Sequence, residues 1–574
     1  MTKKIQILLV LFSCIATLKA QNAVDSIPLF SAPLNIPMYL AGNFGEIRPG
    51  HFHAGIDIKT NQVEGLPVLA AADGYVSRVK ISLGGYGNAI YITHPNGYTT
   101  AYGHLQKFNE EINHYVLEKQ YAQKKFTVEL FFTADQIQVK RGDTIALSGN
   151  SGGSGGPHLH FEIRKTKGSI PQNPLKFGFD IKDNIAPIIK NVALYPLNDT
   201  SIINGKNEKV IIPLRKSGSK YVFQKSTPLA ARGIIGLGVE AIDKLNGSNN
   251  RCGVYNVSLL ADSHLIYSHQ MDEIKFENTR FINTHVDFYE TKKYKRRIQK
   301  NFLNSYNNLR IYRGVQNKGM LFFSRYGHDI HYDITDVYGN HSELSFAIQL
   351  DTVNPIPEIT TDTLPLIQYN EDFDYETENI KVHFNKMSFY ENTHFSYKTG
   401  DTVKYAVAPI HFIQNLYTPI HKYMTVSIKT PSVSQEEGNK YIGVSLTSKN
   451  RLLAPEGGSY QNGWVTFKTR SLGPYTVMVD TIAPTIKPIN FTKNSKTISN
   501  LDRLVLRTDD NLSGVSSYNA YIDGEWKLLH FDRKTGLVWV DLTHHIPGRG
   551  AHTLKIMIGD AVNNFKSFTF DFIW

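Results

Sequence analysis

Residues 73–97 read Asp73-Gly74-Tyr75-Val76-Ser77-Arg78-Val79, then Gly84-Gly85, then Ala89-Ile90-Tyr91-Ile92, then Asn96-Gly97. Short apolar runs punctuated by Asp-Gly, Gly-Gly and Asn-Gly predict antiparallel hairpins, because the tight turn between two strands needs positive φ. The same glycine-rich texture reaches outward from about Leu34 to Gly178. It breaks between Lys107 and Lys140, where Glu110 to Lys125 is polar and Ile112, Val116 and Leu117 are loosely spaced. That spacing predicts a short surface helix inside an insert.

After Pro187 the texture turns to tyrosine-rich strands with Asn and Ser turns. Three junction-like segments recur: Asn184-Ile185-Ala186-Pro187-Ile188, Asp351-Thr352-Val353-Asn354-Pro355 and Asp480-Thr481-Ile482-Ala483-Pro484. Proline cannot donate to a ladder, so it suits a linker or strand edge. Asp336 to Asn340 and Asp560 to Asn564 echo each other as turns. Asp510 to Val515 lies early in the last unit much as Asp243 to Val254 lies in an earlier one. The expected fold is all-β: an antiparallel β domain over 30–180 with an insert at about 107–140, then about three β-sandwich (Ig-like) units at 186–350, 355–480 and 485–574. No ligand cluster is legible in those trailing units.

The 574 residues exceed what one core supports, and 41% hydrophobic with 20% charged residues excludes wholesale disorder. Two cysteines exclude a disulfide scaffold or a Cys-rich zinc module, so any metal site must use His and carboxylates. The net charge of +11 is spread along the chain. It suits attraction to anionic polymers and does not point to nucleic acid. Lys3 and Lys4, an apolar run from Ile5 to Thr17 and Ala20 before Gln21 predict a signal peptide over 1–20, hence export to the periplasm or cell envelope. That run is short for a membrane span, and no later stretch reaches eighteen apolar residues. Leu11-Phe12-Ser13-Cys14 is the competing lipoprotein signal, which bulky Phe12 fits poorly. Cleavage after Ala20 would remove Lys3, Lys4 and Lys19, take the charge to +8 and leave Cys252 as a solitary thiol.

Four patterns in the first domain carry chemistry: His53-Ala54-Gly55-Ile56-Asp57, Tyr102-Gly103-His104-Leu105, the Gly/Ser stretch Ser148 to Gly156, and Pro157-His158-Leu159-His160-Phe161. In a strand, residues two or four apart share a face, so His158 would project with His160 and His53 with Asp57. Two imidazoles and a carboxylate make a site with an open fourth position, and the remaining histidines suit a general base or oxyanion donor. Competing readings are weaker. His51 shares a His-x-His with His53, and His94 reads as a hairpin surface residue. His328 and His331, three apart, should face opposite sides, and His544-His545 fails in the same way. The Gly/Ser stretch lacks the Gly-Lys-Ser/Thr ending of a phosphate loop and reads as a flexible rim.

Gly42-Asn43-Phe44-Gly45-Glu46-Ile47-Arg48 leading to His53-x-x-x-Asp57, then Tyr102-Gly103-His104-Leu105, then Gly156-Pro157-His158-Leu159-His160-Phe161-Glu162, resemble the M23 (lysostaphin/LytM-type) zinc metallopeptidases. The resemblance covers about residues 40–178 and implies an antiparallel β metallopeptidase domain with a groove. It implies one Zn2+ per chain on His53, Asp57 and His160, with His104 and His158 as catalytic histidines, and its register selects His53 over His51. It implies a DD-endopeptidase type of activity on peptidoglycan cross-links, with the D-alanine–diaminopimelate linkage expected in a Gram-negative wall. The 107–140 insert departs from the family pattern and is expected to line or cover the groove. The layout with trailing β units is similar to exported M23 proteins of Bacteroidetes-type bacteria. A non-catalytic activator or wall-binding protein regulating another hydrolase is the alternative, although such proteins usually lose a ligand and all five positions are filled here. The trailing units are expected to hold the domain on the wall or on a cell-envelope protein partner.

Overall fold

The computed structural model describes residues 30–355, 363–492, 498, 501–542, 548 and 550–574. The signal-peptide reading, Cys14 and His544-His545 lie outside them. The strand Gly74–Ile81 pairs antiparallel with Asn88–Thr93, which pairs with Tyr98–Leu105. Two of the three turns fall as expected, with φ of 57° at Gly85 and 83° at Gly97. Asp73-Gly74 is not a hairpin turn: Gly74 opens the strand without positive φ, where a Cβ would come 2.4 Å from Thr93 O. The main sheet runs Leu40–Gly42, Ile56–Lys59, His158–Lys165, Tyr98–Leu105, Asn88–Thr93, Gly74–Ile81 and Val128–Phe131.

Alternation sorts its two faces. Leu159, Phe161 and Ile163 join Val76, Val79, Ile90, Ile92 and Tyr102 in one core, leaving His158, His160, Glu162 and Arg164 for the other side of the same strand. A three-stranded sheet of Pro67–Leu69, Thr144–Leu147 and Lys107–Phe108 adds Val68, Ile145 and Phe108 to that core. Truncating a fully buried Phe161 to Ala would cost about 3–5 kcal/mol and unseat the strand that carries two histidines.

The insert holds the expected helix, Glu110–Gln123. Asn109 caps it, its side chain accepting from Ile112 N at 3.0 Å, and Ile112 and Val116 are its buried apolar contacts. Among the described residues no helix is long and apolar enough to cross a membrane.

The rest of the chain is a succession of β units. Residues 188–350 form one twelve-stranded network. Its long strand Ala230–Ile242 pairs antiparallel with Ile188–Pro196 and parallel with the end of His341–Leu350, so its two faces are joined at an edge rather than being separate stacked sheets. Residues 366–479 make two five-stranded sheets over one core, with Val382, Val426 and Phe467 from one and Tyr475 and Val477 from the other. Residues 485–573 make two four-stranded sheets, with Leu504 and Val538 on one side of the core and Ile522, Ile556 and Phe570 on the other. This last unit folds back onto the first. Trp526 meets Tyr121 at 5.3 Å between ring centroids, His530 meets Phe126 at 5.5 Å, and Leu83 packs against the last unit's core.

Candidate active site

Sheet register brings the sequence-predicted residues together. His160 pairs with Asp57 on one neighbouring strand and with Gly103 on the other. His53 does not share a continuous strand with Asp57 as expected: the strand His51–Phe52 ends before it and the next begins at Ile56. Gly55 lies in that break because a Cβ there would come 2.3 Å from Phe161 O. His53 is instead held by its own backbone, with His53 N donating to Glu46 O at 2.9 Å.

The three expected ligand side chains converge. His53 Nε2 lies 3.0 Å from His160 Nδ1 and 3.1 Å from Asp57 Oδ1, and His160 Nδ1 lies 2.9 Å from the same oxygen. The far nitrogens fix the tautomers. His53 Nδ1 donates to Asn43 O at 2.8 Å, and His160 Nε2 donates to Glu162 Oε1 at 2.8 Å. With both rings neutral, two nitrogen lone pairs and a carboxylate oxygen therefore face one point. Such a set is stable only around a positive charge, a metal ion or, without one, a proton on His160 Nδ1. These residues fit a divalent metal, with outer groups orienting each donor.

Charge around the cluster follows the same logic. Burial opposes ionisation of Asp57, yet His53, with hydrogen bonds from His158 and His160, holds it well below the usual carboxylate range. Arg48 binds its second oxygen. Burial lowers the pKa of His53. Burial also disfavours charge on His160, but hydrogen bonds to Asp57 and Glu162 push it up to about 9, so the pocket prefers to hold a cation. Burial disfavours an ionised Glu162 as well, but Arg164 and His160 bring it to about 2.

His104 and His158 stand beside this cluster, their ring centroids 4.7 Å apart. His104 Nδ1 donates to Ser151 O at 2.9 Å and His158 Nδ1 to Gly156 O at 2.8 Å, so each ring turns its Nε2 toward the cluster, that of His158 lying 3.5 Å from Asp57 Oδ1. The Gly/Ser stretch is thus a carbonyl rim that aims both rings. His104 has φ of 61°, a left-handed conformation costly for a side-chain-bearing residue and typical of functional positions. Burial and the neighbouring His160 and His158 depress its pKa to about 3, so it is a neutral base.

The other histidines separate from the site. His51 is exposed, with Nδ1 on Pro49 O at 3.0 Å. His94 corrects the hairpin-surface reading: it is 3% exposed, clamped by Asp73 O and Thr100 Oγ1 at 2.8 Å each, because the turn folds back under Phe30. His328 and His331 go to different partners, Asp262 and Ser345. The sequence reading passed over Glu162, Arg164, Tyr86 and Asn43. Glu162 and Arg164 continue the His158, His160 alternation and could have been found from it. Arg164 Nε reaches Glu162 at 2.6 Å, and Tyr86 OH bonds Glu162 while its ring stacks on His160 at 4.9 Å. Asn43 is held by Gly253 through two hydrogen bonds, at 2.7 and 2.8 Å, so a trailing unit braces a ligand's support from 210 residues away.

The model for peptidase family M23 matches residues 51–124 and 119–174, the segment that carries all five of these residues. The N-terminal unit is a family M23 peptidase domain. A Zu5-like domain model matches residues 365–480, the unit of two five-stranded sheets. The M23 domain is 38% identical over 123 residues to the DD-carboxypeptidase/endopeptidase Mpg of Neisseria meningitidis serogroup B, covering 21% of this chain and 22% of that protein. It is 35% identical over 135 residues to the murein hydrolase activator NlpD of Salmonella dublin, covering 24% and 28%. Among solved structures, the catalytic domain of the antimicrobial peptidase lysostaphin from Staphylococcus simulans is 26% identical, covering 24% of this chain and 91% of that one, with a TM-score of 0.19. The chain spans about a fifth of the length of the first curated relatives it matches.

Proposed function

We propose that this chain is an exported zinc metalloendopeptidase that hydrolyses peptide cross-links of bacterial peptidoglycan, with His53, Asp57 and His160 as zinc ligands and His104 and His158 as catalytic histidines. The observation that carries the reading is a complete donor set with two further imidazoles beside it, His104 with its Nε2 free of a carbonyl anchor and His158 with its Nε2 3.5 Å from the ligand oxygen Asp57 Oδ1. Zinc bound here would supply a Lewis acid for the scissile carbonyl. The chain's own residues do the rest. Asn43 and Glu162 hold the ligand imidazoles in the tautomer that presents a lone pair, and Ser151 and Gly156 do the same for His104 and His158. A neutral imidazole at this point accepts a proton from the attacking water, and a protonated one steadies the oxyanion or returns the proton to the leaving amine.

The name of the Salmonella relative favours a second reading, a non-catalytic activator of another murein hydrolase. The filled ligand and histidine positions weigh against it. Elemental analysis should find one zinc per chain, and mass spectrometry of isolated peptidoglycan should find cleaved cross-links with wild type and none with His160→Ala. Equal digestion by the two would end the enzyme reading.

A further inference from the structure

The trailing units bring together carboxylates that the sequence reading missed. Asp183 lies in the connector behind the M23 domain, Asp243 just past the strand Ala230–Ile242, and Asp336 at the turn between His328–Thr335 and His341–Leu350. One ligand oxygen from each lies within 4.8 Å of the other two. The turn is rigid: Asp336 Oδ1 accepts from Tyr338 N at 2.8 Å and Asn340 N at 2.9 Å, and Asn340 Nδ2 donates to Asp336 Oδ2 at 2.7 Å and to Asp183 O at 3.2 Å. Asp243, however, is 3% exposed and its Oδ1 meets no donor; Asp183 Oδ2 is equally unpartnered. Among the described residues no lysine or arginine forms an ion pair with any of the three.

Buried carboxylates in such proximity need a proton or a cation between them. Burial and mutual repulsion push Asp243 up to about 8 and Asp183 to about 6 when nothing else is bound. The donor set is oxygen only, which suits a hard cation and not zinc.

The design recurs. Asp480, Asp510 and Asp560 form a second cluster, where Asn564 Nδ2 donates to Asp560 Oδ2 at 2.7 Å and to Asp480 O at 3.0 Å, and Asp510 Oδ1 meets no donor. Each cluster takes one aspartate from the connector entering a unit and two from that unit. The third junction differs: Asp351 is satisfied by Val353 N, Asn354 N and the Asn354 amide, and joins no such cluster among the described residues.

We infer that Asp183, Asp243 and Asp336 bind a divalent cation of the calcium class that pins the connector behind the M23 domain to the first trailing unit. The test uses the full-length chain in an Asp510→Asn background, which disables the second cluster, with calcium chloride as the probe. Titration calorimetry should then count one calcium per chain, and the thermal midpoint should rise by several degrees with calcium. Adding Asp243→Asn should abolish both. If circular dichroism shows that variant misfolded, Asp183→Asn in the connector replaces it with the same expectation. No uptake at millimolar calcium, or uptake that survives these substitutions, overturns the inference. A midpoint that responds to pH but never to calcium would mean that shared protons hold the cluster, and overturns it as well.

Discussion

His160 Nε2 donates to Glu162 Oε1 at 2.8 Å, and the two side chains are two residues apart on one face of one strand. Glu162 is fully buried and also bound by Arg164 and Tyr86, so it cannot move to follow the imidazole. It fixes which nitrogen of His160 faces Asp57 and raises the basicity of that nitrogen. Glu162→Gln keeps the shape and removes the charge. Zinc affinity should fall by about 10–100-fold, read by competition with a chromogenic chelator, while the fold persists.

His104 is separable from metal binding because its anchored nitrogen goes to Ser151 O, and no metal-ligand side chain depends on it for orientation. His104→Ala should leave zinc content at one per chain and lower peptidoglycan turnover by about 10²–10⁴-fold, the usual worth of a positioned acid or base. Loss of zinc in this variant would reassign His104 from proton transfer to ligand support.

The hairpins at Gly84-Gly85 and Asn96-Gly97 were legible because turn chemistry is local. His158 and His160 were legible because strand periodicity is local too. The route by which Gly253 steadies Asn43, and Asn43 steadies His53, was not legible, since nothing near residue 43 signals a partner 210 positions away. His94 misled for a related reason. Its Thr-His-Pro-Asn-Gly context marks a surface turn, but burial there is decided by Phe30, which precedes the domain's first strand. The aspartate clusters were visible only as echoes, because each joins three segments through the turn geometry of Asn340 or Asn564.

Lys534, on the last β unit, donates to Ser154 O and Asn150 Oδ1 at 3.2 Å each, and to Asn150 O, on the rim whose Ser151 and Gly156 carbonyls aim the two histidines. The lysine is exposed, so this contact contributes about 1 kcal/mol or less. Lys534→Ala should raise amide exchange in residues 148–156 by about five-fold or less and leave exchange in the His158–Lys165 strand unchanged. Exchange that rises across the whole M23 domain would instead mean that the last unit supports the fold and not the rim.

The aspartate cluster also sets a pH dependence. In calcium-free buffer Asp243 and Asp183 keep protons in the folded chain up to about 8 and about 6, whereas the unfolded chain releases them near 4. The cluster then binds more protons in the native state than in the unfolded state between these limits, so its own contribution to stability falls as pH rises from 5 to 8. Buried neutral histidines such as His104 add the opposite slope below about 6.5. Asp57 and Glu162, depressed below their ordinary values, have delivered their stabilisation by pH 5 and add no slope in this window. His160 in the metal-free site titrates in the same direction as the cluster, so wild type must be compared with Asp243→Asn at each pH. Without calcium the variant should melt above wild type at pH 8, with the gap closing at pH 5. Saturating calcium should reverse the order at pH 8, because only wild type has the third carboxylate to offer the ion.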